Sequence, residues 1–172
     1  MTARFDFELV FALPPACDLD AITLSDLVIG AGFDDALIGS GTHGLLAVSL
    51  DLTGDAPEDV ILTAATTILQ ALPSGTRLRE VRPDLVSLAD VADRLHVKRQ
   101  ALQKRKMPPP AVAGFYRATE VIAALTEAQP KRKPRLTTSD ATPWFAAAPA
   151  AQRINAYLAL GQMDEVSLRR RG

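Results

Sequence analysis

From Arg4 to Leu13 the chain alternates, with Phe5, Phe7, Leu9, Phe11 and Leu13 set against Asp6, Glu8, Val10 and Ala12. A period of two predicts a strand with one buried face, and Pro14-Pro15 end it. The spacing then changes. Between Asp18 and Ala31, Leu19, Ile22, Leu24, Leu27 and Val28 recur at helical intervals, and Gly30 and Gly32 close the segment. Two strand patterns follow, Ala36 to Ile38 and Leu45 to Leu52, joined by the turn-rich residues 39–44. The clearest helical stripe of this half, Val60, Ile61, Ala64, Ala65, Ile68, Leu69 and Leu72, runs from Pro57 to Leu72. Pro57 suits a first-turn position, and Glu58 and Asp59 face the positive end of the helix dipole. Pro73, Ser74 and Gly75 stop it before a short strand, Arg77 to Val81.

The predicted order is β-α-β-β-α-β, the ferredoxin-like or split-βαβ plan, with both helices on one sheet face. The other face is left open as a dimer or ligand surface. Such a fold supplies no activity by itself. Gly39, Gly41 and Gly44 spell G-x-G-x-x-G, but a dinucleotide fingerprint must open a helix that meets the pyrophosphate. Here a strand pattern, Leu-Leu-Ala-Val-Ser-Leu, follows instead, so the stretch reads as a glycine-rich hairpin loop with His43 on its surface.

The next window is different in kind. Ser87 is a sound N-cap with Asp90 three residues on, and Leu88, Val91, Ala92 and Leu95 share one helical face. His96 and Val97 break the helix, and a second one is expected from about Lys98 to Lys106 with Ala101 and Leu102 inward. Two helices crossing at a tight turn need a small residue where they meet, which Ala92 supplies. They also need apolar residues beside the turn, which Leu95, Val97 and Leu102 supply. The turn residue must tolerate positive φ, usually Gly; here it is His96, a type enriched in that conformation. Lys98, Arg99, Gln100, Gln103, Lys104 and Arg105 point outward, Lys106 follows, and no acidic residue lies between Val97 and Lys106. Solvated helix faces mix signs. A groove-binding helix needs cations for phosphates and forked donors for base edges. Arg99 suits guanine, Gln100 or Gln103 adenine, and Lys98 and Lys104 phosphates. After Met107 to Pro110, which cannot continue a helix, Ala111 to Arg117 contains Gly114, Phe115 and Tyr116, enough for a tight hairpin. Thr119 to Leu125 is a short helix, entered from Ala118 or capped by Thr119.

The passage from VSLADVADRLHVKRQALQKR through the prolines to FYRATEVIAAL resembles the winged helix-turn-helix of MerR-like and excisionase-type DNA-binding domains, small bacterial or phage regulators. The resemblance implies that Lys98 to Arg105 form a recognition helix in the major groove of double-stranded DNA. It implies that Arg117 lies on the edge of a wing that contacts backbone or minor groove, with Ser87 also at the DNA. The metal-binding cysteines and coiled coil of metal-sensing MerR proteins have no counterpart here.

Composition fits this division. Residues 1–84 hold 13 acidic and 4 basic side chains, net −9, and residues 85–172 hold 7 and 15, net +8. Such asymmetry suggests a polyanion partner for the second half. The 172 residues are 48% hydrophobic, enough for a packed core, but only 5% aromatic, so Leu, Val, Ile and Ala must fill it. One cysteine, Cys17, offers neither an internal disulfide nor a cysteine metal site. No cofactor is expected, and no enzymatic constellation: Asp34, Asp35 and Asp51 have no partnered His or Lys. No apolar run reaches membrane-span length, and the expected location is cytoplasmic and nucleoid-associated.

The expected organisation is therefore α+β: an acidic ferredoxin-like domain over 1–84, a winged helix-turn-helix over 85–128, a basic linker over 129–141 and a helical tail over 142–172. In the linker, Lys131, Arg132 and Lys133 either clamp flanking DNA or sit solvated. In the tail, Trp144, Phe145 and Tyr157 are available to dock on the α/β half, a second subunit or a protein partner, and Arg169 to Arg171 are expected to fray. The functional expectation is a sequence-specific DNA-binding regulator acting as a homodimer. The alternatives are an antitoxin or anti-factor whose acidic half binds a protein, and an excisionase-like architectural DNA binder.

Overall fold

Ten consecutive rungs pair β1 (Ala3–Ala12) antiparallel with β3 (Leu45–Gly54), and this long ladder is the backbone of the chain. The computed structural model describes residues 1–127 and 141–172. The strand β2 (Leu37–Gly39) adds to the outer edge of β3, and β4 (Arg77–Arg82) adds to β1, all antiparallel, giving the order β2-β3-β1-β4. The molecule is thus mixed α and β. Between the strands run α1 (Ala21–Gly30) and α2 (Pro57–Ala71), so the element order up to β4 is the one the sequence pattern predicts. Asp20 caps α1 by accepting the Thr23 N–H at 2.8 Å, and that bond holds its carboxyl below the ordinary aspartate range. Residues 40–44 form the β2–β3 connection, with Gly44 at φ +76° and His43 exposed, and a strand rather than a helix follows them.

Alternation along β1 puts Phe5, Phe7, Leu9 and Phe11 into the main core, against Leu24 and Val28 of α1 and Ile61, Ala64, Ala65 and Ile68 of α2. A third helix completes this layer. The helix α6 (Ala141–Ala159) inserts Ala147, Ala150, Ala151 and Ile154 into the same core. Alanine at these positions lets α6 approach the sheet closely, and Pro149 is tolerated inside it because it lies on the exposed side. The expected appended tail is therefore structural. Beyond α6, Met163 and Leu168 are buried, Arg170 stacks 3.5 Å from the Tyr157 ring centre, and Arg171 bonds Asp164 at 2.9 Å. The terminal arginines, expected to fray, are largely tied down in this way.

The opposite sheet face is polar. Asp6 and Asp51 stand directly across the β1–β3 ladder, a like-charge pair that would be destabilising alone. Arg4 bonds Asp51, and Arg94, from the next unit, bonds Asp6. Arg82 bridges Glu8 and Glu80; partial burial works against its charge, but the two carboxylates outweigh that and raise its pKa. The face expected to be open is thus a lattice of internally neutralised pairs, and part of it meets the following unit.

That unit has its own core. The strand β5 (Leu85–Val86) pairs with β6 (Tyr116–Arg117), and α3 (Leu88–Arg94), α4 (Arg99–Gln103) and α5 (Ala118–Glu127) pack around Val86, Val91, Ala92, Leu95, Leu102, Val121 and Leu125. Ala141, Trp144 and Ala148 of α6 join this second core. One helix therefore packs on both units through different residues.

Candidate nucleic-acid interface

A capping box starts α3. The Ser87 hydroxyl accepts the Asp90 N–H at 3.1 Å, and the Asp90 carboxylate accepts the Ser87 N–H at 2.8 Å and its hydroxyl at 2.7 Å. Both helix-start donors are satisfied reciprocally, so the Ser87 hydroxyl is spent on the fold.

The helix ends in a Schellman turn. His96 sits at φ +55°, its N–H bonds the Asp93 carbonyl at 3.2 Å, and the Val97 N–H bonds the Ala92 carbonyl at 3.0 Å. The two apolar positions that normally close this motif are Ala92, buried, and Val97, packed against the second core. His96 thus adopts the positive φ that its place in the sequence required. Lys98 is extended, and the chain enters α4 with Ala101 N–H on the Lys98 carbonyl.

The second helix is shorter than expected. Regular turns stop at Gln103, and Lys104 and Arg105 continue only as a tightening turn, Arg105 N–H bonding the Leu102 carbonyl at 2.9 Å. Leu102 is fully buried and anchors it, worth roughly 1.5–3 kcal/mol of apolar burial. Ala101, expected inward, is exposed, since one short helix cannot bury two adjacent positions equally. Lys98, Arg99, Gln100, Gln103, Lys104 and Lys106 are all exposed, and Arg105 is half-buried. None of these cations forms an ion pair with a described residue. By contrast Arg4, Arg77, Arg82, Arg94, Arg117, Arg153 and Arg171 each sit on a carboxylate.

Arg117, expected on the edge of a wing, is engaged within the fold. It is not a loose wing-edge cation: its guanidinium bonds the buried Asp84 carboxylate at 2.7 Å, whose other oxygen accepts from Asn155 of α6 at 2.9 Å. Asn155 also bonds both the N–H and the carbonyl of Val81 at 2.8 Å. Asp84 therefore fastens β6 and α6 to the end of β4. Arg94 is the second fastener, bonded to Asp6 and lying 5.1 Å from the Trp144 ring centre. Neither Asn155 nor Arg94 stands out from sequence as a positioning residue. The partners of both are far along the chain, and nothing in the local pattern signals them.

The expected wing is a small turn. Val112 and Phe115 form an isolated antiparallel bridge around Gly114 at φ +77°, and the following residues pair back to β5. Lys131, Arg132 and Lys133 lie outside the described residues. Among the described residues no group of three or more His, Cys, Asp or Glu is placed to hold a metal ion, and no helix is long and apolar enough to cross a membrane. No protein-family model, curated protein sequence or solved structure matches the chain.

Proposed function

We propose that the protein binds double-stranded DNA sequence-specifically, presenting α4 to the major groove as a homodimer on a two-fold or repeated site. In this reading the architecture is a ferredoxin-like unit followed by a winged helix-turn-helix. The strand order β2-β3-β1-β4 and the bent α3–α4 pair support it. The observation that carries the function is the contrast in pairing. Five cations from Lys98 to Lys106 stand without a described carboxylate, while Arg4, Arg77 and Arg82 around the sheet and Arg94 of α3 are each paired. Such cations beside the exposed amides of Gln100 and Gln103 suit phosphates and base edges, and the underlying turn is held rigidly by the Schellman bonds. Five residues of helix reach only a few base pairs, so a second copy is the simple route to a site of useful length.

The test is selection of duplexes from a random pool, followed by titration in salt. Lys98→Ala with Lys104→Ala should weaken all sequences alike and lower the log–log salt slope by about 0.9 for each phosphate no longer neutralised. Arg99→Ala or Gln103→Ala should cost about 1–3 kcal/mol at the selected site only. If changing all four residues left affinity and selected sequence untouched, α4 would not be the reader.

A second reading, an interaction protein whose acidic half holds a basic protein, is favoured by one surface. Residues 5–76 contain no Lys or Arg, and Ile22 on the outer side of α1 is 73% exposed. A strongly basic partner that binds the full chain but not Ile22→Glu would support it.

A further inference from the structure

Between Lys106 and Arg117 the chain carries no charge for ten residues, Met107 to Tyr116, although most of them are exposed. Its tip is apolar as well as neutral: Val112 is 58% and Phe115 46% exposed. The two are bridged antiparallel, which sets their side chains next to each other on one side of the turn. The turn is stiff. Phe115 N–H bonds the Val112 carbonyl at 2.8 Å, Ala111 N–H bonds the Phe115 carbonyl at 2.9 Å, and Gly114 supplies the positive φ that a type II turn needs at its third residue. Pro108, Pro109 and Pro110 fix the approach by locking φ. The turn abuts α4: a crevice of about 210 Å³ is lined by Arg99, Gln103 and Arg105 on one side and Gly114 and Tyr116 on the other.

A phosphate clamp would need cations or clustered donors at the tip, and it has neither. A rigid pair of apolar side chains beside a cationic helix matches instead a wedge that parts stacked bases, the cost being met by the extra surface a bent duplex brings to the protein. We propose that Val112 and Phe115 enter the minor groove next to the major-groove segment contacted by α4 and open one base step, so that the protein bends the DNA it binds. This rests on the reading of α4 as a duplex-DNA reader. It specifies a sequence consequence: the flank of the selected site should carry a pyrimidine–purine step, TA or CA, because these unstack most easily.

The experiment uses the full chain and the duplex recovered by selection, with bend angle read from end-to-end energy transfer and from circularly permuted fragments. The unsubstituted protein should bend the site by about 20–90°. Val112→Ser with Phe115→Ser should at least halve the bend and abolish the flanking-step preference, while leaving the salt slope unchanged. Ala113→Asp, at the exposed tip, should also at least halve the bend, and it serves as the second variant if the double substitution does not fold. An unchanged bend and flank preference in folded variants would overturn the wedge while leaving DNA reading by α4 intact. A chain that retains no duplex at all would overturn both. Loss of self-association in the free variant, with the bend unaltered, would assign the apolar pair to a second copy and overturn the wedge.

Discussion

Replacing Asn155 by alanine removes three hydrogen bonds at the point where the two units meet: to the Val81 N–H, to the Val81 carbonyl and to the Asp84 carboxylate. β4 is an edge strand, and the Asn155 amide acts as a one-residue partner for its outer edge, where unpaired groups would otherwise remain. Two neutral bonds at about 1 kcal/mol each, plus one to a charged group at about 1.5 kcal/mol, give roughly 3 kcal/mol, since water reaches part of this half-buried site and limits the loss. For a chain of this size that lowers Tm by about 6–12 °C. Urea unfolding followed by circular dichroism measures the same loss as a shift in midpoint at unchanged slope. Asn155→Asp discriminates further. It keeps an acceptor for the Val81 N–H but turns a carboxylate toward the Asp84 oxygen and the Val81 carbonyl, so at neutral pH it should be less stable than the alanine variant. A loss below about 1 kcal/mol for alanine, or an aspartate variant as stable as the alanine one, would show that water replaces these bonds and would refute the reasoning.

Three further outcomes are expected. Ser87→Ala opens the capping box and should cost about 1 kcal/mol, read from urea midpoints; a change under a few tenths would mean that Asp90 caps α3 alone. His96→Val places a β-branched residue at φ +55°, so stability should fall by about 1–2 kcal/mol, whereas His96→Asn should be tolerated. Asp164 accepts the Ser167 N–H, the Arg171 guanidinium and the Val166 N–H, and these bonds hold its carboxyl well below the ordinary aspartate range. Its contribution is therefore complete above the ordinary aspartate pKa and is lost as pH falls through that value toward the lowered one. The stability gap between the natural chain and Asp164→Asn should be constant near neutrality and close in acid; a gap independent of pH would count against this role.

Nearly every element of the first 84 residues was legible in the chain, because period two and period 3.6 are local properties of a face that must be buried. Glycine and proline punctuation set the ends of α1, α2 and the β2–β3 hairpin for the same local reason. The Ser87 cap and the left-handed His96 were equally readable, each being a constraint on a few consecutive backbone bonds. α4 was overestimated, since alternating cations and amides continue helically in composition while only Leu102 anchors them. Where local pattern carries no partner, the chain was silent. Arg117 looks like any wing-edge cation until Asp84, 33 residues away, is brought to it, and α6 looks like a tail until its alanines meet the sheet. Periodicity thus determined which faces are buried and which segment concentrates cations without acids. Only the tertiary structure decided which charges cancel one another, because ion pairing depends on residues brought close in space with no trace of that closeness in their order. That pairing takes Arg94 and Arg117 into the fastening of the two units, and among the described residues it leaves the cations from Lys98 to Lys106 without a carboxylate.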